Sequence, residues 1–137
     1  MKNYLNTQFA AKSINEGLAR IIVAGFIMPL DPTVSQMADI KTAVSEAVTN
    51  SVIHGYDDCG GEIAMELYYE ERLLTVKISD FGKGIENIER ALMPLYTSKP
   101  DCDRSGMGFT VMESFMDSLK VISSVGEGTT VIMTKRL

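Results

Sequence analysis

The chain has 137 residues, of which 45% are hydrophobic and 23% are charged. This composition fits one globular domain spanning residues 1–137 and excludes an intrinsically disordered chain. Eighteen acidic against thirteen basic side chains give a net charge of -5, so the chain lacks the positive field that drives binding to a phosphate backbone. Nucleic acid is therefore not expected as a direct partner.

No segment of the sequence predicts a membrane span or a secretory signal. The longest uncharged apolar stretch, residues 21–30, contains Gly25 and Pro29 and is much shorter than the roughly 20 residues that a spanning helix needs. The first residues lack the basic-then-apolar order of a signal peptide, so we expect a cytoplasmic location. Two cysteines and one histidine provide neither a disulfide framework nor a zinc site.

A first helix is predicted to begin at Ser13 and to end at Gly25, because residues 13–16 have the Ser-x-x-Glu form of a capping box. Four apolar residues at helical spacing predict the face that packs on the core: Ile14, Leu18, Ile21 and Ile22. The opposite face is a mixture of small, apolar and charged residues: Glu16, Ala19, Arg20 and Val23. This face is either a docking patch, with Arg20 as its anchor because arginine is enriched at interface hot spots, or an ordinary surface.

A second helix is predicted to begin after Thr33, which forms a capping box with Gln36, and to run to about Gly55. One flank is apolar and consists of Met37, Ile40, Val44 and Val48. On the other flank Glu46 and Asn50 lie one turn apart. This polar flank is either a solvated surface or the place where chemistry occurs.

The remaining sequence is rich in strands, which alternating apolar residues and turn signals place at residues 4–11, 63–69, 74–80, 121–125 and 129–135. A short helix is predicted at residues 88–92 and a longer one over residues 109–119. Between them, residues 94–104 are polar and interrupted by proline, so we expect a mobile lid. The predicted fold is α+β, a two-layer sandwich with helices on one face of a mixed, mostly antiparallel sheet.

Several familiar nucleotide-binding motifs are excluded. The triplet Asp80-Phe81-Gly82 occurs without the other motifs of eukaryotic-type protein kinases. There is no Gly-x-x-x-x-Gly-Lys loop, and Gly106-Met107-Gly108 lacks the third glycine of a dinucleotide fingerprint. Walker and Rossmann sites are therefore not expected.

Three polar and glycine-rich features nevertheless follow one another along the chain: Glu46 with Asn50, Asp80 with Gly82 and Gly84, and Gly106 with Gly108. In this order they resemble the Bergerat-type ATP-binding domain shared by gyrase, a heat-shock chaperone, histidine kinases and a mismatch-repair protein. Residues 45–56, Ser-Glu-Ala-Val-Thr-Asn-Ser-Val-Ile-His-Gly-Tyr, look most like those of the sporulation-type bacterial anti-sigma factors that are also serine kinases.

The loop after the predicted strand 74–80 has the chemistry of an adenine site. The Asp80 carboxylate only accepts hydrogen bonds, so it can accept one from the exocyclic amine of adenine and disfavour guanine. Glycine at positions 82 and 84 would give the backbone positive φ angles and a close approach to the base. The alternative for Asp80 is an aspartate that simply begins a turn.

The second glycine pair fits a phosphate site, because free N–H groups at a helix start attract anions. Gly106 and Gly108 are the candidates, and the Ser105 hydroxyl could add a donor. Lys99 and Arg104 could neutralise triphosphate charge. The alternatives are flexible loop glycines and exposed cations without a specific role.

The polar flank of the second helix supplies the remaining candidates. The Asn50 amide oxygen is a hard ligand suited to Mg²⁺ when phosphates and water complete the coordination. Glu46 is the candidate general base for a nucleophile approaching the terminal phosphate. By resemblance, Thr129 reaches the adenine region, with Thr130 as the alternative on the opposite strand face.

The resemblance implies that ATP and Mg²⁺ are used to phosphorylate a serine of an anti-anti-sigma factor. It also implies that an RNA polymerase sigma factor is held inactive and that the protein works as a homodimer. Two other functions remain open: a nucleotide-dependent binding module without phosphotransfer, and a catalytic fragment of a histidine kinase. Because the chain starts at the predicted first strand, without an upstream helical domain, we expect the phosphoacceptor to come from another protein.

Overall fold

The computed structural model describes residues 1–93 and 108–137. These residues form strands β1 (Lys2–Ala10), β2 (Glu62–Glu70), β3 (Leu73–Asp80), β4 (Ser118–Ser124) and β5 (Gly128–Arg136). The helices are α1 (Asn15–Ile27), α2 (Val34–Asn50), α3 (Ile88–Ala91) and α4 (Gly108–Phe115). The lid expected at residues 94–104, together with Lys99, Arg104, Ser105 and Gly106, lies outside the described residues.

The strands form one sheet in the order β1-β2-β3-β5-β4, so β1 and β4 are its edges. Each neighbouring pair within this order is antiparallel. The predicted α+β fold is thereby confirmed, although these strands form an antiparallel sheet rather than a mixed one. The register places Asp80 of β3 opposite Thr129 of β5, so two candidate residues distant in sequence become cross-strand neighbours.

One face of the sheet carries the core. The alternating residues of β2 and β3 that were predicted to point inward are buried, and they are Ile63, Met65, Leu67, Tyr69, Leu74, Val76 and Ile78. Helices α1, α2 and α4 add buried residues to the same cluster. Phe26 of α1 packs against Tyr69 with 5.0 Å between ring centroids. Among the described helices, none has both the length and the apolarity needed to cross a lipid bilayer.

Helix α2 begins where the sequence predicts. The Thr33 hydroxyl oxygen accepts a hydrogen bond from the Gln36 backbone N–H at 3.0 Å, and the Gln36 side chain accepts one from the Thr33 N–H at 2.9 Å. Both halves of the capping box are therefore present. The helix then continues into a π-helical turn, Ser51–Gly55, a feature that is often found at functional sites.

The predicted limits of α1 are wrong at both ends. The helix starts at Asn15 with no side-chain cap, and Ser13 contributes only its carbonyl, which accepts from the Glu16 N–H at 3.2 Å. The helix passes through Gly25 and ends at Ile27. An isolated glycine within a helix costs only about 1 kcal/mol relative to alanine, which favourable packing of the helix can offset.

The face of α1 predicted to pack on the core is also wrong. Ile14, Leu18 and Ile21 are 81%, 44% and 71% exposed, and of the four predicted residues Ile22 alone packs against the core, partly buried. The buried face consists of Ala19, Val23, Phe26 and Ile27, so Ala19 and Val23 do not belong to an exposed docking patch. Both faces of this helix are apolar, and periodicity alone does not decide which of them meets the core.

The last predicted helix is too long. Helix α4 ends at Phe115, and Leu119 lies in β4 opposite Met133. The Asp117 N–H donates to the Thr134 carbonyl at 2.8 Å, which draws the chain into the sheet. Apolar spacing continued across this boundary because the helix and the strand that follows it both pack on the core.

Replacing Thr33 with alanine is expected to lower the free energy of unfolding by about 1 kcal/mol, because the first turn of α2 loses its cap. Ser13→Ala is the matched control and should stay within about 0.5 kcal/mol of the parent, since the Ser13 side chain caps nothing in α1. Urea denaturation measures both values. Equal losses in the two variants would contradict this assignment of the helix starts.

Candidate nucleotide-binding site

A cavity of about 430 Å³ opens beside the carboxyl end of α2, a volume typical of small-molecule sites. Its walls come from α2 and the π-helical turn, the loop after β3, α3, the start of α4, and β5. Five residues predicted to bind nucleotide line it: Asn50, Asp80, Gly84, Gly108 and Thr129. The fold thus brings together candidates that are spread over 80 positions of the sequence.

Asp80 is the most buried charged group in this wall, with 5% of its surface exposed. Its Oδ1 accepts from the Gly82 N–H at 3.1 Å and from the Thr129 N–H at 3.3 Å. Burial raises the pKa of this carboxyl above its ordinary value, while hydrogen bonds from Gly82, Ser51 and Thr129 act against that rise. The carboxylate is held rigidly at the end of β3.

Gly82 has a different role from the one the sequence suggested. It is not among the cavity-lining residues, and its φ angle is not positive. A Cβ at this position would lie 2.0 Å from the Gly55 carbonyl oxygen. The Lys83 N–H donates to the same oxygen at 3.0 Å, so Gly82 allows the loop to pass directly against the end of the π-helical turn.

Gly84 fits its prediction more closely, since it lines the cavity and has a φ angle of 78°. A Cβ here would lie 2.2 Å from the Ser124 carbonyl oxygen. Both the backbone angle and the close approach to β4 therefore favour glycine at this position.

The structure distinguishes the two threonines of β5. Thr129 lines the cavity, and its hydroxyl lies 2.8 Å from that of Ser123. Thr130 points to the other face of the sheet, where its hydroxyl lies 3.0 Å from that of Ser79. Ser123 also accepts from the Ile85 N–H at 2.8 Å, so it joins Thr129 to the loop after β3, a role the sequence did not indicate.

Asn50 meets the start of α4. A Cβ on Gly108 would lie 3.0 Å from both the Nδ2 and the Oδ1 of Asn50, so glycine leaves room beside the amide. Residues 1–93 and 108–137 contain no group of three or more His, Cys, Asp or Glu side chains that could hold a metal by themselves. The single amide oxygen fits Mg²⁺ only when phosphate oxygens and water supply most of its ligands.

Glu46 faces a different part of the surface. It lines a shallow groove between α1 and α2, together with Arg20 and Ser45, and is not among the residues lining the nucleotide cavity. Arg20 Nη1 donates to Glu16 Oε1 at 2.7 Å and to the Ser45 hydroxyl at 3.0 Å. The sequence placed Glu46 and Asn50 on one flank, and the structure shows that each opens onto a separate depression.

Two cations in the described part of the chain line the cavity, Lys83 and Arg90. Lys83 also pairs with Asp57 at 3.1 Å on the surface. His54 lines the cavity as well. The position of Lys83 between two glycines was a usable signal for it, whereas nothing in the local sequence singled out Arg90.

Comparison with known proteins agrees with this geometry. Residues 11–135 match the family model described as the histidine kinase-like ATPase domain. The match leaves out only the first ten residues and the last two. The chain is thus an ATPase domain of the histidine kinase-like class, and membership of this class implies ATP binding.

Curated relatives narrow the class. The chain is 55% identical to an anti-sigma F factor of Clostridium acetobutylicum, covering 99% of this chain and 95% of the relative. It is 54% identical to one of Clostridium perfringens, covering 100% and 99%, and 51% identical to one of Anoxybacillus flavithermus, covering 100% and 94%. The chain therefore belongs to the histidine kinase-like ATPase domain family and, within it, to the anti-sigma F factors.

Replacing Asp80 with asparagine is expected to weaken ATP binding by about tenfold to a hundredfold, because a hydrogen bond to a charged acceptor contributes about 1.5–3 kcal/mol. The same change should raise the free energy of unfolding at neutral pH. A raised pKa means that the fold disfavours the ionised carboxyl. This cost is fully present above the raised pKa and disappears below the ordinary value of 3.8.

The stability difference between Asp80→Asn and the parent should therefore shrink as the pH falls. Calorimetric titration with ATP and urea denaturation from neutral to acidic pH measure the two effects. Asp58→Asn changes an exposed aspartate in a neighbouring turn and should leave ATP binding unchanged. A stability difference that grows on acidification would contradict the assigned cost of burial.

Proposed function

We propose that this protein binds an RNA polymerase sigma factor in the cytoplasm and uses ATP to phosphorylate a serine of an anti-anti-sigma factor. Support comes from its membership of the anti-sigma F factors and from the ATPase domain match. The observation that carries the proposal is the arrangement of α2. Glu46 opens onto the groove and Asn50, one turn further, opens onto the nucleotide cavity.

This arrangement lets two reactants approach one helix from different sides. Residues four apart on a helix have Cβ atoms about 5–6 Å apart. A serine delivered along the groove would therefore reach Glu46 while the terminal phosphate lies near Asn50. Holding both reactants in this way supplies much of the rate in phosphoryl transfer.

In the proposed reaction the serine oxygen forms a bond to the γ-phosphorus as the bond between that phosphorus and the β,γ-bridging oxygen breaks. Glu46 accepts the serine proton, and the products are phosphoserine and ADP. Asp80 and Thr129 hold the adenine. When bound at Asn50, Mg²⁺ would neutralise phosphate charge.

Arg20 is the proposed anchor for a partner protein. Its side chain is 39% exposed at the rim of the groove that contains Glu46. Its pair with Glu16 is partly exposed, and such pairs contribute little to stability. A partner carboxylate can therefore compete for the guanidinium.

The proposed homodimer has a candidate interface on α1 and on the residues that flank it at either end. Exposed apolar residues recur there at alternating spacings of four and three: Ile14, Leu18, Ile21 and, after Gly25, Met28. This is the spacing by which a helix packs along another helix. A second copy is the natural occupant, because a two-fold axis pairs the same stripe from both chains.

A nucleotide-dependent binding module without phosphotransfer is the second candidate function. It is favoured by one observation, namely that Glu46 does not line the cavity that holds Asn50 and Asp80. In that case Glu46 would be a groove residue that contacts the partner. The two functions differ in whether label from ATP reaches the partner.

Glu46→Gln is expected to reduce serine phosphorylation by about a hundredfold or more, because removal of a general base typically costs that much. Binding of ATP should remain within twofold of the parent, and capture of the sigma factor should persist. The assay uses γ-labelled ATP with purified anti-anti-sigma factor, and acid-stable label identifies phosphoserine. Glu113→Gln, an exposed residue of α4, is the control.

Transfer at the parental rate in Glu46→Gln would rule out this residue as the base. If the parent binds ATP but labels no partner, the binding module is the correct function.

Arg20→Ala, measured in the same series, should weaken sigma capture without changing ATP affinity. Loss of both would show that Arg20 supports the fold rather than a partner.

Ile21→Glu is expected to shift the protein toward monomer by about tenfold or more in dissociation constant, because it places two charges in the proposed interface. Val34→Glu also replaces an exposed apolar residue, but at the start of α2 and outside the stripe, and it should leave the dimer intact. Sedimentation equilibrium at micromolar concentration compares them. Equal behaviour of the two variants would exclude the α1 stripe as the interface.

A further inference from the structure

Tyr56 connects the start of β2 to the loop that follows β3, which we call the adenine loop and define as residues 81–84. Its hydroxyl accepts a hydrogen bond from the Phe81 backbone N–H at 2.7 Å and donates one to the Glu62 carbonyl at 2.6 Å. Phe81 follows Asp80 directly, and Glu62 begins β2. One phenol group therefore joins the adenine loop to the sheet.

The Tyr56 ring packs against the backbone at Gly61. A Cβ on Gly61 would lie 2.5 Å from the ring atom Cε1, so glycine at that position leaves the space that the ring occupies. The Tyr56 N–H donates to the Ser51 carbonyl at 3.1 Å, and the Tyr56 carbonyl accepts from the Cys59 N–H at 2.8 Å. The side chain thus projects from a backbone that is held on both sides.

Three successive N–H groups of the adenine loop have partners. That of Phe81 donates to the Tyr56 hydroxyl, that of Gly82 to the Asp80 carboxylate, and that of Lys83 to the Gly55 carbonyl. Asp80 immediately precedes the loop, so the bonds to Tyr56 and Gly55 are the ones that fix these N–H groups to the end of the π-helical turn. Tyr56 supplies the bond nearest to Asp80.

We propose that Tyr56 is a positioning residue for nucleotide binding: through its hydroxyl it fixes the peptide that follows Asp80 and thereby sets the affinity for adenine over guanine. It does not line the cavity, so it acts through Asp80 and the loop rather than on the ligand. This inference rests on the proposed role of Asp80 in adenine recognition. Gly61 contributes to the same positioning, because it provides the space for the Tyr56 ring.

The test compares Tyr56→Phe with the parent by calorimetric titration of ADP and GDP. Loss of one hydrogen bond that holds the loop is expected to raise the dissociation constant for ADP about threefold to tenfold. The preference for ADP over GDP should fall by a similar factor. In the phosphorylation assay KM for ATP should rise while kcat stays within twofold, because the phosphate end of the site is unchanged.

Tyr68→Phe is the matched control, since it removes a tyrosine hydroxyl that pairs with Glu70 at 2.9 Å on the exposed face of the sheet. It should leave both dissociation constants unchanged. Gly61→Ala, which displaces the ring but keeps its hydroxyl, should reproduce the loss of adenine preference.

Two outcomes would overturn the inference. One is an unchanged ADP affinity in Tyr56→Phe, and the other is a loss of affinity that is equal for ADP and GDP, as a general loosening of the fold would give. Failure of the proposed role of Asp80 has a different signature, because the parent itself would then show no preference for adenine nucleotides. Failure of the proposed phosphotransfer would appear only in the labelling assay and would leave the ADP and GDP affinities of the parent unchanged.

Discussion

The site depends on one backbone contact, between Gly55 at the end of the π-helical turn and Gly82 after β3. A side chain at position 82 would overlap the Gly55 carbonyl oxygen, and one at position 55 would lie 2.9 Å from the Asp80 Cγ. Two glycines from distant parts of the chain thus let helix and loop touch. The contact brings Asp80 to the same cavity as Asn50, so the proposed recognition of the base and of the phosphates depends on how closely these segments pack.

Burial of Asp80 illustrates a conflict between stability and function. Desolvation raises its pKa, which means that the fold disfavours the ionised carboxyl that the proposed recognition of adenine needs. The Gly82 and Thr129 N–H groups offset part of this cost. Both come from backbone whose position is fixed by the sheet register and by the Gly55 contact, so the carboxylate is prepared before any ligand binds.

Local signals predicted the fold well where one outcome was physically possible. The capping box at Thr33 is compatible only with a helix start, and the alternation in β2 and β3 is compatible only with strands that bury one face. The start of α1 was not determined in this way, because the Ser13 pattern competed with a turn, and apolar residues on both faces left the buried side undetermined. In the site, ordered motifs pointed to Asn50 and Asp80, whereas Tyr56 is tied to the loop by contacts across 25 positions, which no local pattern reveals.

Helix α2 carries both the proposed base, Glu46, and the proposed magnesium ligand, Asn50, and its packing on the core fixes their relative positions. Its apolar flank is fully buried at Ile40, Val44 and Val48, so sliding the helix would disrupt the core. The polar side is different, because Arg20 and Glu16 form a partly exposed pair beside the groove. A partner that engages Arg20 competes with this weak interaction and with the hydrogen bond from Arg20 to the Ser45 hydroxyl. Binding in the groove is therefore compatible with an undisturbed nucleotide cavity. The Glu46 carboxylate can contact a partner while Asn50 keeps its position in the cavity wall.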